Sequence, residues 1–192
     1  MTERPDQLHI VTASLETAAI GASCLRQKAI DVPADVSAAL LRHVIAQMLF
    51  CLYHAGGVGL AAPQVGINWR LVLAMERGSE QPPLVLINPR LLDCSDETAD
   101  GREGCLSLPG YVSQKVPRST LIKIEALNQH LLPVQIEARD FVARVIQHEY
   151  DHLDGILYID RLRTLADLER QDAAVRAANA ADQLFTMEAP PL

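Results

Sequence analysis

Two histidines four residues apart, His148 and His152, stand in the run Gln147-His148-Glu149-Tyr150-Asp151-His152. Four residues of helix climb about 6 Å and turn about 400°, so both imidazoles lie on one face and can reach a single metal ion. Glu149 follows the first of them, where it can take a proton from a water at the metal's open position. Catalytic sites of this kind use three protein ligands and leave the fourth place to water. A third histidine six residues after His152 is excluded, because that position is Tyr158. Glu169 is one remaining candidate, although it stands among Asp167, Arg170 and Asp172 as a surface residue would. Cys105 is the other. It lies in Glu103-Gly104-Cys105-Leu106-Ser107-Leu108-Pro109-Gly110, whose glycines and Pro-Gly predict a tight, exposed backbone, and its thiolate is a strong, soft ligand. A third segment, Gly57-Val58-Gly59-Leu60-Ala61-Ala62-Pro63-Gln64, lets a substrate backbone or a metal come close to the chain and ends on an amide that can donate to an oxyanion. No Lys-Ser/Thr follows it, so it is not a phosphate loop.

The elements that must position these residues are readable in outline. Val36, Leu40, Val44, Met48 and Leu52 recur every four residues and predict a helix from Pro33 to about Ala55, stopped by Gly56-Gly57. His43 and His54 fall in or just after it and read as structural or surface residues. Strands are expected at Arg70 to Met75, Leu84 to Ile87, Thr120 to Leu127 and Val134 to Ala138, with Asn128-Gln129-His130 as a turn and His130 exposed. Asp93 to Arg102 is acidic and reads as a loop. Asp140 is the expected N-cap of the helix carrying the two histidines, and Gly155 its end. Leu162, Leu165, Leu168 and Val175 predict an amphipathic helix over 161–188. Strands between helices predict an α+β domain: short antiparallel strands around a central metal-binding helix, with an N-terminal and a C-terminal helix.

Composition narrows the class. The 192 residues suffice for one domain with a substantial core, and 49% apolar content suits a globular protein. A net charge of -7 disfavours a grip on nucleic-acid phosphates, and no apolar run approaches the roughly 20 residues of a membrane span. Met1-Thr2-Glu3-Arg4-Pro5-Asp6 is unlike a secretory signal or a transit peptide, so the expected location is the cytoplasm. The four cysteines, at 24, 51, 94 and 105, form no C-x-x-C pair and read as free thiols. Cys24 and Cys51 are expected in the core and Cys94 in a loop.

Three segments in order, G-V-G-L-A-A-P-Q from Gly57, E-G-C-L-S from Glu103 and Q-H-E-Y-D-H from Gln147, resemble the peptide deformylase family. Cys24-Leu25-Arg26-Gln27-Lys28-Ala29, Ile87-Asn88-Pro89 and Val116-Pro117-Arg118 extend the likeness to roughly residues 8–165. The resemblance implies a metal-dependent hydrolase that removes the formyl group from N-formylmethionine at the start of new polypeptides. It implies Cys105, His148 and His152 as ligands of one divalent ion, usually Fe2+, with Ni2+, Co2+ or Zn2+ able to replace it. It implies water in the fourth place, attacking the formyl carbon as hydroxide, with Glu149 as general acid/base. Gln64 Nε2 and the Leu106 N–H would hold the oxyanion. Gly59 and Gly104 would meet the substrate backbone, and Val58 and Val145 would line a methionine pocket. A catalytic domain of residues 1–165 followed by a helix and tail over 166–192 is expected.

Two departures accompany the likeness. Several family members carry an Arg seven residues after the metal Cys, where this chain has Val112. Some carry a basic tail that docks on the ribosome; here residues 161–192 hold four Arg against five Asp or Glu, a net of -1, which argues against such docking. An H-E-x-x-H endopeptidase would leave Gln64 and the Glu103–Ser107 loop without a role. A noncatalytic relic would be expected to have lost Glu149, Gln64 or a ligand, and all are present.

Overall fold

A computed structural model of the chain describes residues 8–13 and 24–171. The first long helix, α1, spans Ala38–His54. It starts later than Pro33 because Ser37, in extended conformation, accepts a hydrogen bond from the Leu40 N–H at 3.2 Å and so caps it. Leu41, Val44, Ile45, Met48, Cys51 and Leu52 form its buried stripe, while His43 and His54 are exposed.

Five strands make one antiparallel sheet in the order β1-β2-β3-β6-β7: β1 Gly59–Ala61, β2 Leu71–Ala74, β3 Leu84–Cys94, β6 Leu121–Leu127 and β7 Pro133–Arg139. Period-2 alternation explains why all four residues of β2 are buried. Leu71 and Leu73 join Leu60, Val85 and Ile87 against α1. Val72 and Ala74 join Leu86, Ile122 and Ile124 on the other face, against Ala143, Val145, Ile146 and Leu153 of the second helix. That helix, α2, spans Asp140–Leu153, so the sheet lies between two helices. A smaller antiparallel sheet, β4-β5-β8, is built from β4 Thr98–Cys105, β5 Leu108–Ser119 and β8 Glu169–Arg170. Its apolar cluster contains Cys105, Leu108 and Val116 with Leu157, Tyr158 and Ile159 of the turn after α2.

Several expectations give way. The acidic run Asp93–Arg102 is not a loop: β3 continues to Cys94, β4 begins at Thr98, and Ser95–Glu97 joins them. Acidic side chains suit an exposed strand face, and the pairing of Thr98 with Ser119 and of Gly101 with Val116 supplies the backbone bonds. No helix runs through 161–171. Tyr158–Arg161 and Leu165–Asp167 are single 3-10 turns, and β8 then adds to β5, with Gln171 N–H donating to Gly110 O at 2.8 Å. The rest of the expected C-terminal helix, 172–188, lies outside the described residues. Asp140 is the first residue of α2 and not its cap: Arg139 holds the cap position with no side-chain bond, and Asp140 has φ 47° with its N–H on Thr120 O. Cys24 is exposed and not in the core, and Cys94 is an exposed strand residue.

Gly155 stops α2 as expected, with φ +72°. A Cβ there would also stand 2.5 Å from the Arg26 carbonyl oxygen. Gly155→Ala should lower stability by at least about 1 kcal/mol, since the left-handed backbone and the backbone contact both oppose a side chain; thermal unfolding of the two proteins checks this.

Candidate metal centre

The helical step places His148 and His152 as the spacing predicts, with ring centroids 5.2 Å apart. Cys105, the last residue of β4, brings Sγ to 3.2 Å from His152 Nε2. One ligand atom from each of the three residues lies within 4.8 Å of the other two, and all three residues are buried. Cys105 is therefore not the exposed turn residue expected: it is 8% accessible, because β4 folds it inward onto the helix. Among the described residues this is the one group of three or more His, Cys, Asp or Glu able to hold an ion. Glu169 is exposed on β8 and no part of it.

The electrostatics fit a cation. Burial disfavours charge on His148, yet hydrogen bonds with Cys105 and Glu103 and the nearby Glu149 hold its pKa well above the ordinary value. Burial and the His148 charge push His152 well below. Buried beside Glu103 and Glu149, the site favours positive charge, which suits a divalent ion. Ligating imidazole nitrogens must be free of protons, and His148 Nδ1 is already committed to Glu103 Oε2 at 2.8 Å, leaving Nε2 for the ion.

Glu103 anchors this arrangement. Arg118 of β5 grips it with two bonds, Nε to Oε1 at 2.9 Å and Nη2 to Oε2 at 3.0 Å, and Arg144 of α2 adds Nη1 to Oε1 at 2.9 Å. Arg118 Nη1 reaches Asp151 at 2.6 Å, and Arg161 holds Asp151 from outside. Asp151 is three residues after His148, on the same side of α2. Burial raises the Glu103 pKa, but the His148 and Arg118 hydrogen bonds outweigh it and pull it down to about 2. Tyr158 stacks its ring on His148 at 6.0 Å.

The acid/base and oxyanion candidates converge on the same place. Glu149 is buried, and its Oε2 has no hydrogen-bond partner. Burial is the main reason its pKa rises to about 7; Glu103 adds to the rise and His148 opposes it. A bound cation would pull it back down. Gln64, 1% accessible, is held in the 3-10 turn Ala62–Val65. Its Oε1 accepts from the Ala61 N–H at 2.7 Å, and its Nε2 points to Cys105 Sγ at 3.5 Å and Ser107 Oγ at 3.3 Å. Gly59 is needed for more than backbone access: a Cβ there would overlap the Glu149 carboxylate. Gly104 is exposed on β4, Leu106 lies half-buried in the β4–β5 turn, and Val58 packs against the cluster that holds Val145. Val112, in place of the family's Arg, is buried opposite Gly104 and pairs with Glu169.

Sequence reasoning gave no separate role to Glu103, Arg118, Arg144, Asp151, Ser107 or Tyr158. Glu103 and Asp151 were in view only as neighbours of Cys105 and His152, and Arg118 only as part of Val116-Pro117-Arg118. Glu103→Ala should weaken metal affinity by about 10- to 100-fold, as loss of a ligand's orienting partner does, measured by competition with a chelator. A pH effect accompanies it. Glu103 is held below its ordinary 4.5, at about 2, so its stabilisation is complete above 4.5 and is lost as pH falls through 2. Melting temperature should drop less steeply on acidification below pH 4.5 in Glu103→Gln than in the native chain.

Comparison with known proteins agrees with this geometry. The family model described as polypeptide deformylase matches residues 15–167. Peptide deformylase from Pelotomaculum thermopropionicum is 37% identical over 149 residues, 78% of this chain and 92% of that one. Peptide deformylase 2 from Nostoc sp. is 36% identical over 168 residues, 82% of this chain and 93% of its own length. The crystal structure of peptide deformylase from Thermotoga maritima superposes with a TM-score of 0.72 at 36% identity, covering 82% of this chain and 99% of that one. The chain belongs to the polypeptide deformylase family, metal-dependent hydrolases that remove the formyl group from newly made polypeptides.

Proposed function

We propose that in this chain Cys105, His148 and His152 hold the catalytic ion, that Glu149 moves the proton, and that Gln64 and the Leu106 N–H stabilise the oxyanion during hydrolysis of N-formylmethionyl polypeptides. The observation that carries this reading is that Gln64 Nε2 and His152 Nε2 both lie close to Cys105 Sγ, at 3.5 and 3.2 Å. A divalent ion held at these ligands would lower the pKa of bound water towards about 7 and so supply a nucleophile near neutrality. Glu149 Oε2, buried and without a partner, is free to accept the proton of the attacking water and to pass it to the amine nitrogen as the C–N bond breaks and formate leaves. Gln64 keeps its amide plane fixed through Oε1, so Nε2 is ready to donate to the formyl oxygen as charge develops there.

β1 is the outer strand of its sheet, which suits Gly59 to pair with an extended peptide as an added strand, with Gly104 of β4 on the other side. Val58 and Val145 give the methionine side chain an apolar wall. The family resemblance points to Fe2+ as the ion, and the thiolate and two imidazoles also suit Ni2+, Co2+ or Zn2+ as substitutes. Among the described residues no helix is long and apolar enough to cross a membrane. We place the reaction in the cytoplasm, with at most transient ribosome contact, since the C-terminal tail is not basic.

Formate release from a formyl-Met dipeptide, with metal content measured on every protein, tests the assignment. Cys105→Ala should lose most of its metal, whereas Glu149→Gln should keep its metal and lose about 10² to 10⁴ in rate. Metal loss in Glu149→Gln would make Glu149 a ligand and overturn the roles. Gln64→Ala should lower kcat by roughly 10² to 10³ with KM nearly unchanged, as removal of an oxyanion donor does; a raised KM at constant kcat would reduce Gln64 to a substrate contact.

A further inference from the structure

Residues 8–13 lie ahead of the family match, which begins at residue 15, yet they are tied to the catalytic centre. Val11 N–H donates to Gln64 O at 2.7 Å, and Ala13 N–H donates to Ser107 O at 2.8 Å. Gln64 and Ser107 are the same two residues joined by the Gln64 Nε2 to Ser107 Oγ bond beside Cys105. Gln64 follows β1 of the large sheet, and Ser107 sits in the turn between β4 and β5 of the small one. The segment is therefore a backbone bridge between the two layers at the point where the side-chain amide crosses from one to the other. It is anchored on both sides. Leu8 and Ile10 pack on the cluster of α1, with Leu8 O accepting from Cys51 Sγ at 3.2 Å, while Val11 and Ala13 pack on the cluster of Cys105 and Tyr158.

We propose that residues 8–13 are a positioning strap for the oxyanion donor, acting through the Val11 and Ala13 N–H groups on Gln64 and Ser107. The inference rests on the oxyanion role given to Gln64 above. A neutral amide stabilises a developing charge only if it already points at it, because turning it during the reaction uses up the gain. Misplacement by about 1 Å can cost on the order of 10² in rate. Gln64 Oε1 is fixed by Ala61, its main chain by Val11, and Ser107, whose Oγ accepts from Gln64 Nε2, has its main-chain carbonyl held by Ala13. The strap thus sets the distance between donor and thiolate without touching substrate or metal.

The test deletes one N–H at a time in the full-length, metal-loaded enzyme. Val11→Pro and Ala13→Pro each remove one donor, and Val11→Ala shortens the side chain but keeps the N–H. With a formyl-Met dipeptide, Val11→Pro should lower kcat by roughly tenfold with KM and metal content unchanged, and Val11→Ala should stay near the native value. The Gln64 side-chain amide resonances should shift or broaden in Val11→Pro and not in Val11→Ala. In a Gln64→Ala background Val11→Pro should cost almost nothing further, because both changes act through one group. Should the proline variants fail to fold, deletion of residues 1–13 removes both donors and is read in the same cycle. Equal losses with and without Gln64 would overturn the strap, as would a Val11→Ala loss matching that of Val11→Pro. A Gln64→Ala enzyme with native kcat would instead refute the oxyanion role itself, and the strap's purpose with it.

Discussion

A single buried carboxylate, Glu103, ties together the elements that present the candidate metal site. It accepts hydrogen bonds from Arg118, Arg144 and His148, and so joins both strands of the β4–β5 pair to α2. Taking these charges out of water is costly, and only dense pairing offsets the cost. Removing one partner of such a buried pair typically destabilises by about 3 to 5 kcal/mol, because the other charge is left stranded. The same bond fixes the His148 tautomer. The interaction that closes the small sheet on the helix is thus also the one that aims a ligand.

Much of the scaffold is legible from local pattern. Val44, Met48 and Leu52 of the apolar repeat fall on the buried face of α1, although Val36 precedes the helix and Leu40 is exposed, and the His148/His152 step needs only helical geometry. What escapes is set by contacts distant in sequence. Glu103 and Arg118 are fifteen residues apart, and only the bulged register of β4 on β5 brings them together. The acidic run 93–102 reads as a loop because propensity records polarity, whereas its backbone is claimed by strand partners and its charges simply face water. The leucines at 162, 165 and 168 imitate a helical stripe, but Leu162 and Leu168 pack as isolated residues on the Cys105 cluster, and the chain between them turns and then joins β5.

The proposed acid/base residue shows a different compromise. Glu149 is held against Gly59 where no Cβ fits, in surroundings that penalise its charge. Burial penalises a carboxylate in that position, and the proton transfer proposed for it accounts for one being there. The glycine-rich run is accordingly not a flexible segment: β1 is paired residue by residue with Ala74, Leu73 and Val72, and its glycine is a matter of volume.

Both sheets end at the metal centre in an outer strand, β1 in one and β4 in the other. Unpaired strand edges invite copies of the same chain to pair with each other, which is a route to aggregation. Here β1 is only three residues long and wholly buried, and β4 faces solvent over most of its length and carries exposed Asp100 and Arg102. At this end of the large sheet the outer strand therefore offers a second folded molecule little edge to pair with. The brevity of β1 thus limits edge pairing at the same place where the proposed substrate strand would add.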